Sequence, residues 1–142
     1  MSVPIQWRSI KEKYRLGGTK CERCGKIYFP SRKICPNCRR EGKLSPIKFS
    51  GRGKVYSYST VRNAPEGFEI FTPYVIGLVE LEEGPKLLSQ IVDCRPEDVY
   101  IGMPLETTFR KLKADGKEGV ISYSFKFVPA TNSVGTQAEE KT

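Results

Sequence analysis

The chain opens with an amphipathic segment over residues 2–16. Apolar residues recur there at loosely helical spacing, and basic residues stand between them. The pattern predicts a helix that the glycine pair at 17–18 terminates. Trp7 and Tyr14 are seven residues apart and share one face of this helix. We expect both aromatic side chains to form a core between the helix and the segment that follows it.

The pattern changes from helical spacing to strands after residue 50. Five segments rich in β-branched and aromatic residues are separated by Gly, Pro and Asp turns, which predicts five strands. They cover residues 54–61, 74–81, 86–92, 105–112 and 120–128. A helical turn is predicted at 95–99, after the third strand. This order matches an OB-type Greek-key barrel, although periodicity alone also allows a small sandwich or an SH3-like barrel.

Four of the five cysteines form two Cys-x-x-Cys pairs with ten residues between them. Cys21 and Cys24 are the first pair, and Cys35 and Cys38 are the second. Two residues between ligands allow a tight turn to aim both sulfurs at one ion, and this spacing is typical of zinc ribbons and rubredoxins. Four protein ligands leave no open position for water. We therefore predict a structural metal without Lewis-acid catalysis.

Other interpretations of the cysteines remain open. Ligand type alone does not distinguish zinc from iron in such a site. A redox dithiol would not account for two equally spaced pairs. The fifth cysteine, Cys94, follows the third predicted strand with no base or orienting residue beside it, and we predict a buried structural thiol.

A short strand is predicted at 27–29, between the two cysteine pairs. We predict a mainly β protein in four parts: an N-terminal helix at 1–18, a rubredoxin-like zinc ribbon at 19–45, an OB-fold at 46–128 and a disordered polar tail at 129–142. No apolar run approaches the length of a membrane span, and no secretory signal is evident. We expect a cytoplasmic protein with no membrane partner.

The chain lacks the residues of an independent enzyme. It contains no histidine, which removes Ser–His and Cys–His nucleophile pairs. It also has no Gly-rich phosphate loop and no Gly-x-Ser-x-Gly elbow. These features argue against catalysis by the chain alone.

Charge bears on the main alternative, a single-stranded nucleic-acid-binding protein, because zinc ribbons and OB-folds both occur in that class. The net charge of +8 is unevenly distributed. Residues 1–54 hold 15 basic and 3 acidic residues, a net +12, whereas residues 55–142 hold 9 and 13, a net −4. A phosphate-binding OB groove needs basic residues on the OB-fold. The distribution therefore argues against nucleic acid as the partner.

A series of motifs occurs in a fixed order along residues 2–128. They are Trp7-Arg8, Tyr14-Arg15, the two cysteine pairs, Tyr28-Phe29-Pro30, Gly53-Lys54-Val55-Tyr56, Pro73-Tyr74-Val75-Ile76 and Gly102-Met103-Pro104-Leu105. In this order they resemble the domain-of-unknown-function-35 (DUF35) family. Members of that family are acyl-CoA-associated proteins with a rubredoxin-like zinc ribbon followed by an OB-fold.

The resemblance implies a scaffold for thiolase-like enzymes. In the best-known arrangement, the small protein bridges acetoacetyl-CoA thiolase and hydroxymethylglutaryl-CoA (HMG-CoA) synthase in the mevalonate route to isoprenoids. The resemblance also implies a structural Zn²⁺ and a CoA or acyl-CoA site shared with these enzymes, without naming the CoA-binding residues.

Phe68 and Phe71 lie on the long connection at 62–72 and are candidate partner contacts. Aromatic side chains are enriched at interface hot spots, which favours this interpretation. The alternative is that both rings fold back over the barrel core as a lid.

Overall fold

The structure is a computed structural model that describes residues 3–130. Helix α1, Val3–Arg15, precedes eight strands. The strands are β1 Gly17–Cys21, β2 Ile27–Tyr28, β3 Leu44–Lys48, β4 Arg52–Val61, β5 Tyr74–Leu81, β6 Lys86–Ile91, β7 Pro104–Ala114 and β8 Ile121–Pro129. Most of the predicted tail at 129–142 lies outside the described residues. No helix within residues 3–130 is long and apolar enough to cross a membrane.

Strands β4 to β8 close into a barrel in the order β4-β5-β6-β8-β7. β6 and β8 run parallel, and the other neighbouring pairs are antiparallel. A 3₁₀ turn at Pro96–Asp98 follows the third barrel strand, as predicted. The closed order confirms the mainly β class and the five-stranded OB-fold, and it excludes the sandwich.

The barrel core follows from strict alternation along its strands. In β5 every second residue is buried, because successive side chains point to opposite faces of a strand. The buried apolar side chains of the barrel are Val55, Val75, Val79, Leu81, Leu87, Ile91, Val99, Met103, Leu105 and Phe127.

The zinc-ribbon region contains a second, three-stranded sheet with the order β2-β1-β3. Its central strand, β1, begins with Gly17 and Gly18, which were predicted to terminate the helix. The helix ends one residue earlier, at Arg15, because Leu16 adopts a left-handed conformation with φ 45° and turns its side chain into the core. The predicted part boundaries at 18/19, 45/46 and 128/129 fall inside β1, β3 and β8 respectively.

An aromatic contact series joins the ribbon to the barrel. The Phe29 ring lies edge-on to Phe49 at 6.0 Å between ring centroids and to Phe125 at 5.9 Å. Phe125 in turn contacts the fully buried Phe127 at 6.2 Å. Leu16 and Phe49 belong to the same buried cluster as the barrel residues. The ribbon and the barrel therefore share one continuous core.

The prediction that Trp7 and Tyr14 form a core with the ribbon is wrong. Trp7 is 75% exposed, and no residue of α1 is buried. Tyr14 instead contacts Phe109 of β7 edge-on, at 4.9 Å between ring centroids. The helix lies against β8 of the barrel and also touches β1 of the ribbon, without burying any of its own side chains.

Replacing Gly18 by alanine should destabilise the protein. The added Cβ would overlap the backbone carbonyl oxygen of Tyr28 and lie 2.7 Å from the Phe49 ring. We expect a loss of about 1–3 kcal/mol in the free energy of unfolding, measured by urea denaturation of the metal-loaded chain. Gly17→Ala is the matched control, since its Cβ would meet only the Ile47 carbonyl oxygen, at 3.7 Å. Equal stability of the two variants would contradict the packing described for β1.

Candidate functional site

The structure brings the four predicted metal ligands together at one end of the ribbon sheet. The sulfur atoms of Cys21, Cys24, Cys35 and Cys38 all lie within 4.8 Å of one another. The Sγ–Sγ distance is 4.0 Å for Cys21 and Cys38 and 3.7 Å for Cys24 and Cys35. Tetrahedral zinc with Zn–S bonds of about 2.3 Å requires sulfurs about 3.8 Å apart. The cluster and the ribbon around it therefore support a structural zinc.

Both cysteine pairs adopt the same turn. The N–H of Gly25 donates to the Cys21 carbonyl at 2.9 Å, and the N–H of Arg39 donates to the Cys35 carbonyl at 2.8 Å. Gly25 and Arg39 both have left-handed backbone angles, φ 71° and φ 51°. In the second turn the Cys38 N–H also points at the Cys35 sulfur, at 3.5 Å. The repeated geometry is what aims four sulfurs at one point.

Two residues to which the sequence analysis gave no role at the metal site lie against this cluster. The Tyr28 hydroxyl lies 3.4 Å from the Cys35 sulfur. At Gly42, an added Cβ would lie 2.7 Å from the Cys35 Cβ and 3.0 Å from the Cys38 Cβ. Glycine is therefore required at 42 by space. Tyr28 appeared in the sequence only as part of the Tyr28-Phe29-Pro30 motif, and no signal marked Gly42. Both residues reach the cluster only through the pairing of β1 with β2 and the turn before β3.

The thiols differ in their tendency to ionise. The hydrogen bond donated by the Tyr28 hydroxyl, together with backbone N–H groups, lowers the pKa of Cys35 to about 6. The same bond raises the pKa of Tyr28 to about 12. Loss of hydration raises the pKa of Cys38 to about 12. Only a cation at the centre of the cluster would hold all four sulfurs as thiolates at neutral pH.

Cys94 lies apart from this cluster. Its side chain is half-buried and packs against the barrel core. Burial raises the pKa of the Cys94 thiol, and the carboxylates of Asp98 and Asp93 raise it further. These features favour the protonated thiol, although the side chain is half-buried and not buried as predicted. Its structural role stays a prediction.

A second feature is a groove of about 670 Å³ on the barrel, here named the ligand groove. It lies between the long connection after β4 and the strands β6, β7 and β8. Its walls combine basic and apolar side chains and include Ile70, Phe71, Val92, Arg110, Lys113 and Lys126. Asp93 also lines it and forms an ion pair with Arg110, with 2.7 Å between Nη2 and Oδ2.

Lys126 is the unusual residue of the ligand groove. It is only 6% exposed. Its Nζ lies 5.5 Å from the centre of the Phe71 ring, and within residues 3–130 no carboxylate forms an ion pair with it. Burial lowers the pKa of Lys126, and the nearby Arg110 lowers it further. The stem of Lys126 is buried and its ammonium faces the groove, where an anion would supply the counter-charge that no carboxylate among residues 3–130 provides.

The two candidate partner contacts on the long connection have different environments. Phe68 is half-buried and packs against Phe71 and Tyr74, at 6.3 Å between ring centroids in each case. Phe71 is 43% exposed at the rim of the ligand groove. Ile70 beside it is 86% exposed, and the sequence analysis did not mark it. Whether these side chains contact a partner remains a prediction.

The fold and the cysteine cluster together define a class: a zinc ribbon that shares its core with an OB-fold. Comparison with family models agrees. Residues 8–44 match the rubredoxin-like zinc ribbon domain of ChsH2, and residues 47–110 match the C-terminal OB-fold domain of ChsH2. The chain belongs to the DUF35 family, which confirms the resemblance.

Similar proteins point to acyl-CoA metabolism. A DUF35 domain-containing scaffold protein of Methanocaldococcus jannaschii is 58% identical over 130 residues, which cover 92% of each chain. Subunit BbsA of the benzoylsuccinyl-CoA thiolase of Thauera aromatica is 31% identical over 112 residues, covering 79% of this chain and 74% of BbsA. The solved Ltp2-ChsH2(DUF35) aldolase has a TM-score of 0.69 at 31% identity and covers 89% of this chain and 93% of that chain. These relatives support a non-catalytic accessory subunit of an acyl-CoA-processing complex.

Cys35→Ser should abolish binding of one zinc per chain and lower the melting temperature. The variant loses one thiolate ligand and the binding energy that holds the ribbon folded. Elemental analysis measures the metal and also distinguishes zinc from iron. Cys94→Ser is the control and should keep one metal and a near-normal melting temperature. A Cys35→Ser protein with one zinc and unchanged melting would refute the assignment.

Proposed function

We propose that this chain is a cytoplasmic, non-catalytic scaffold that bridges acetoacetyl-CoA thiolase and HMG-CoA synthase. It would also supply part of a CoA site through which acetoacetyl-CoA passes between the two enzymes in the mevalonate pathway. The observation that carries the proposal is the ligand groove with its buried, unpaired Lys126. Relatives named as a scaffold protein and as a thiolase subunit support the class of partner.

The chemistry of the ligand groove suits CoA. Phosphate oxygens form strong charge-assisted hydrogen bonds with ammonium and guanidinium groups, and Lys113 and Lys126 line the same groove as Arg110. Apolar side chains such as Val92 and Ile70 offer contact for the pantetheine arm. The groove also borders the connection after the first barrel strand and the third strand, the region where OB-folds commonly bind ligands.

The groove supports binding better than catalysis. Among residues 3–130, Asp93 is the single carboxylate that lines it, and Arg110 already pairs with that carboxylate. The chain contains no histidine that could act as a general base instead. The chemical steps would therefore belong to the partner enzymes. The part proposed for this chain is to hold the CoA moiety while the acyl group reacts.

We also assign Phe71 and Phe68 to the partner interface, in different roles. Phe71 and its neighbour Ile70 are exposed at the groove rim, where an enzyme that shares the bound CoA would touch them. Phe68 is half-buried against Tyr74 and would hold the connection in shape. Exposed aromatic and aliphatic side chains beside a ligand are typical interface anchors.

Purification of the tagged chain from its native extract should recover both enzymes. We expect a thiolase and an HMG-CoA synthase at near-stoichiometric levels, identified by mass spectrometry of the eluate. Recovery of one thiolase-like enzyme without the synthase would keep the scaffold class and exclude the mevalonate assignment. Recovery of nucleic acid or ribosomal proteins with neither enzyme would contradict the proposal and favour the nucleic-acid alternative.

Lys126→Met should stabilise the fold of the free chain and weaken its binding of CoA. The change keeps the apolar stem and removes a partly desolvated, unpaired charge beside Arg110, so the free energy of unfolding should rise by up to about 1 kcal/mol. The affinity of the assembled complex for CoA, measured by calorimetry, should fall at least about tenfold, because a charge-assisted hydrogen bond is lost.

The control variant is Lys48→Met, which removes the same charge from the exposed end of β3, outside the groove. It should leave CoA affinity unchanged. Because the pKa of Lys126 is lowered from 10.5, the unfolded chain binds more protons in that range. The stability of the wild type should therefore rise as pH increases through the lowered pKa towards 10.5, and this rise should vanish in Lys126→Met. Unchanged CoA affinity in Lys126→Met would contradict the proposed site.

A further inference from the structure

The helix α1 packs only weakly against the rest of the chain. It has 13 residues, and none of them is buried. Isolated helices of this length are marginal in water, and most helices in proteins are stabilised by packing of an apolar face. The single tryptophan of the chain, Trp7, is 75% exposed on this helix. An exposed tryptophan on a weakly packed helix is typical of a surface that another molecule covers.

One face of α1 borders an apolar groove of about 120 Å³, here named the helix groove. Val3, Trp7, Ile10 and Tyr14 recur at intervals of three and four residues along this face, as a single helical stripe does. The opposite wall comes from the start of β8 and includes Ile121 and Tyr123. The groove is therefore mostly apolar on both sides and open above Trp7.

The helix groove continues towards the ligand groove. A depression of about 390 Å³ lies between them, lined by Gln6, Phe68, Leu112 and Lys113 among others. Gln6 also lines the helix groove, while Leu112 and Lys113 also line the ligand groove. A protein seated on α1 would thus lie beside the groove that is proposed for CoA.

The charge around α1 indicates the kind of surface that fits. Four basic residues and one acidic residue lie along Val3–Arg15. The basic residues are Arg8, Lys11, Lys13 and Arg15. A second copy of this chain would bring two such basic rims together, whereas an acidic surface would be attracted. Lys13 lines the same depression as Phe68 of the long connection, so the apolar surface has a basic border on its helix side.

We propose that α1 is the docking site for the thiolase-class enzyme. Trp7 inserts into an apolar pocket on that enzyme, and acidic residues of the enzyme border the pocket. This inference rests on the proposed function for the identity of the partner. It goes further by naming the surface and its central contact. Because tryptophan is enriched among interface hot spots, Trp7 supplies most of the affinity, and the basic residues of α1 set the orientation and the salt dependence.

In the free chain the tryptophan fluorescence reports on Trp7 alone, because the sequence contains a single tryptophan. The full, zinc-loaded chain is titrated with the thiolase-class enzyme that co-purifies with it, after that enzyme has been isolated. The dissociation constant is measured with a dye-labelled sample of the chain. We expect the free chain to show long-wavelength emission that acrylamide quenches. For the Trp7 signal in the complex, selective labelling of this chain with 5-fluorotryptophan and fluorine NMR should show a shifted, solvent-protected resonance.

Trp7→Ala should weaken binding of the enzyme by at least about thirtyfold, the usual effect of losing a tryptophan hot spot. Alanine has the higher helix propensity, so the change does not weaken α1 itself. Ile5→Ala is the matched control: Ile5 is exposed on the same helix but does not line the helix groove. It should bind within about threefold of the wild type. Arg8→Glu combined with Lys11→Glu should weaken binding and flatten its salt dependence.

Four other outcomes would overturn the inference. If Trp7→Ala binds as tightly as Ile5→Ala, the enzyme docks elsewhere and only this inference fails. If the Trp7 emission shifts with chain concentration alone, a second copy covers the helix. If deletion of residues 131–142 exposes Trp7, the chain's own C-terminal segment covers it. If the wild type binds no thiolase-class enzyme at all, the proposed function fails as well.

Discussion

Four cysteine sulfurs that lie within 4.8 Å of one another impose the constraint on which the ribbon depends. Ionised thiols at that separation repel, and neutral ones offer little attraction, so a bound cation is what makes the arrangement stable. The ribbon sheet has only three short strands and could not build a sufficient core alone. Cys21 ends β1, and the pairing of β1 with β3 carries Leu16 and Phe49 into the shared core. The geometry at the sulfurs is thereby transmitted to the barrel.

The charge that lines the ligand groove differs from the net charge of the segment that forms the barrel. Residues 55–142 are net acidic in sequence, yet barrel closure gathers Arg110, Lys113 and Lys126 along one groove. The acidic residues of the same segment lie largely elsewhere, for example in the turn after β5. A bound anion responds to the nearest charges more than to the net charge, because solvent screens distant ones. The groove therefore suits a phosphate-bearing ligand despite the composition around it.

Two features cost the isolated chain stability and make sense in an assembly. Lys126 has a buried side chain whose ammonium forms no ion pair among the described residues, and Trp7 leaves a large apolar surface in water. Local departures from good packing are expected at functional sites, where a ligand or a partner compensates for them. The helix groove, the depression and the ligand groove share lining residues and form one side of the molecule. That continuity is the feature a bridging subunit with a shared ligand would need.

The sequence by itself determined the parts of this protein that depend on local pattern. The spacing of Cys21, Cys24, Cys35 and Cys38 predicted their cluster, and alternation with turn residues predicted five barrel strands to within a few residues, because both signals act over short stretches of chain. Tertiary structure alone decided the contacts between distant segments. Gly17 and Gly18 became part of β1 because β3 pairs with them. Trp7 was left in solvent, while Tyr14 of the same helix packs against Phe109 of the barrel. The ligand groove likewise exists only after closure of the barrel, since its basic residues come from separate strands.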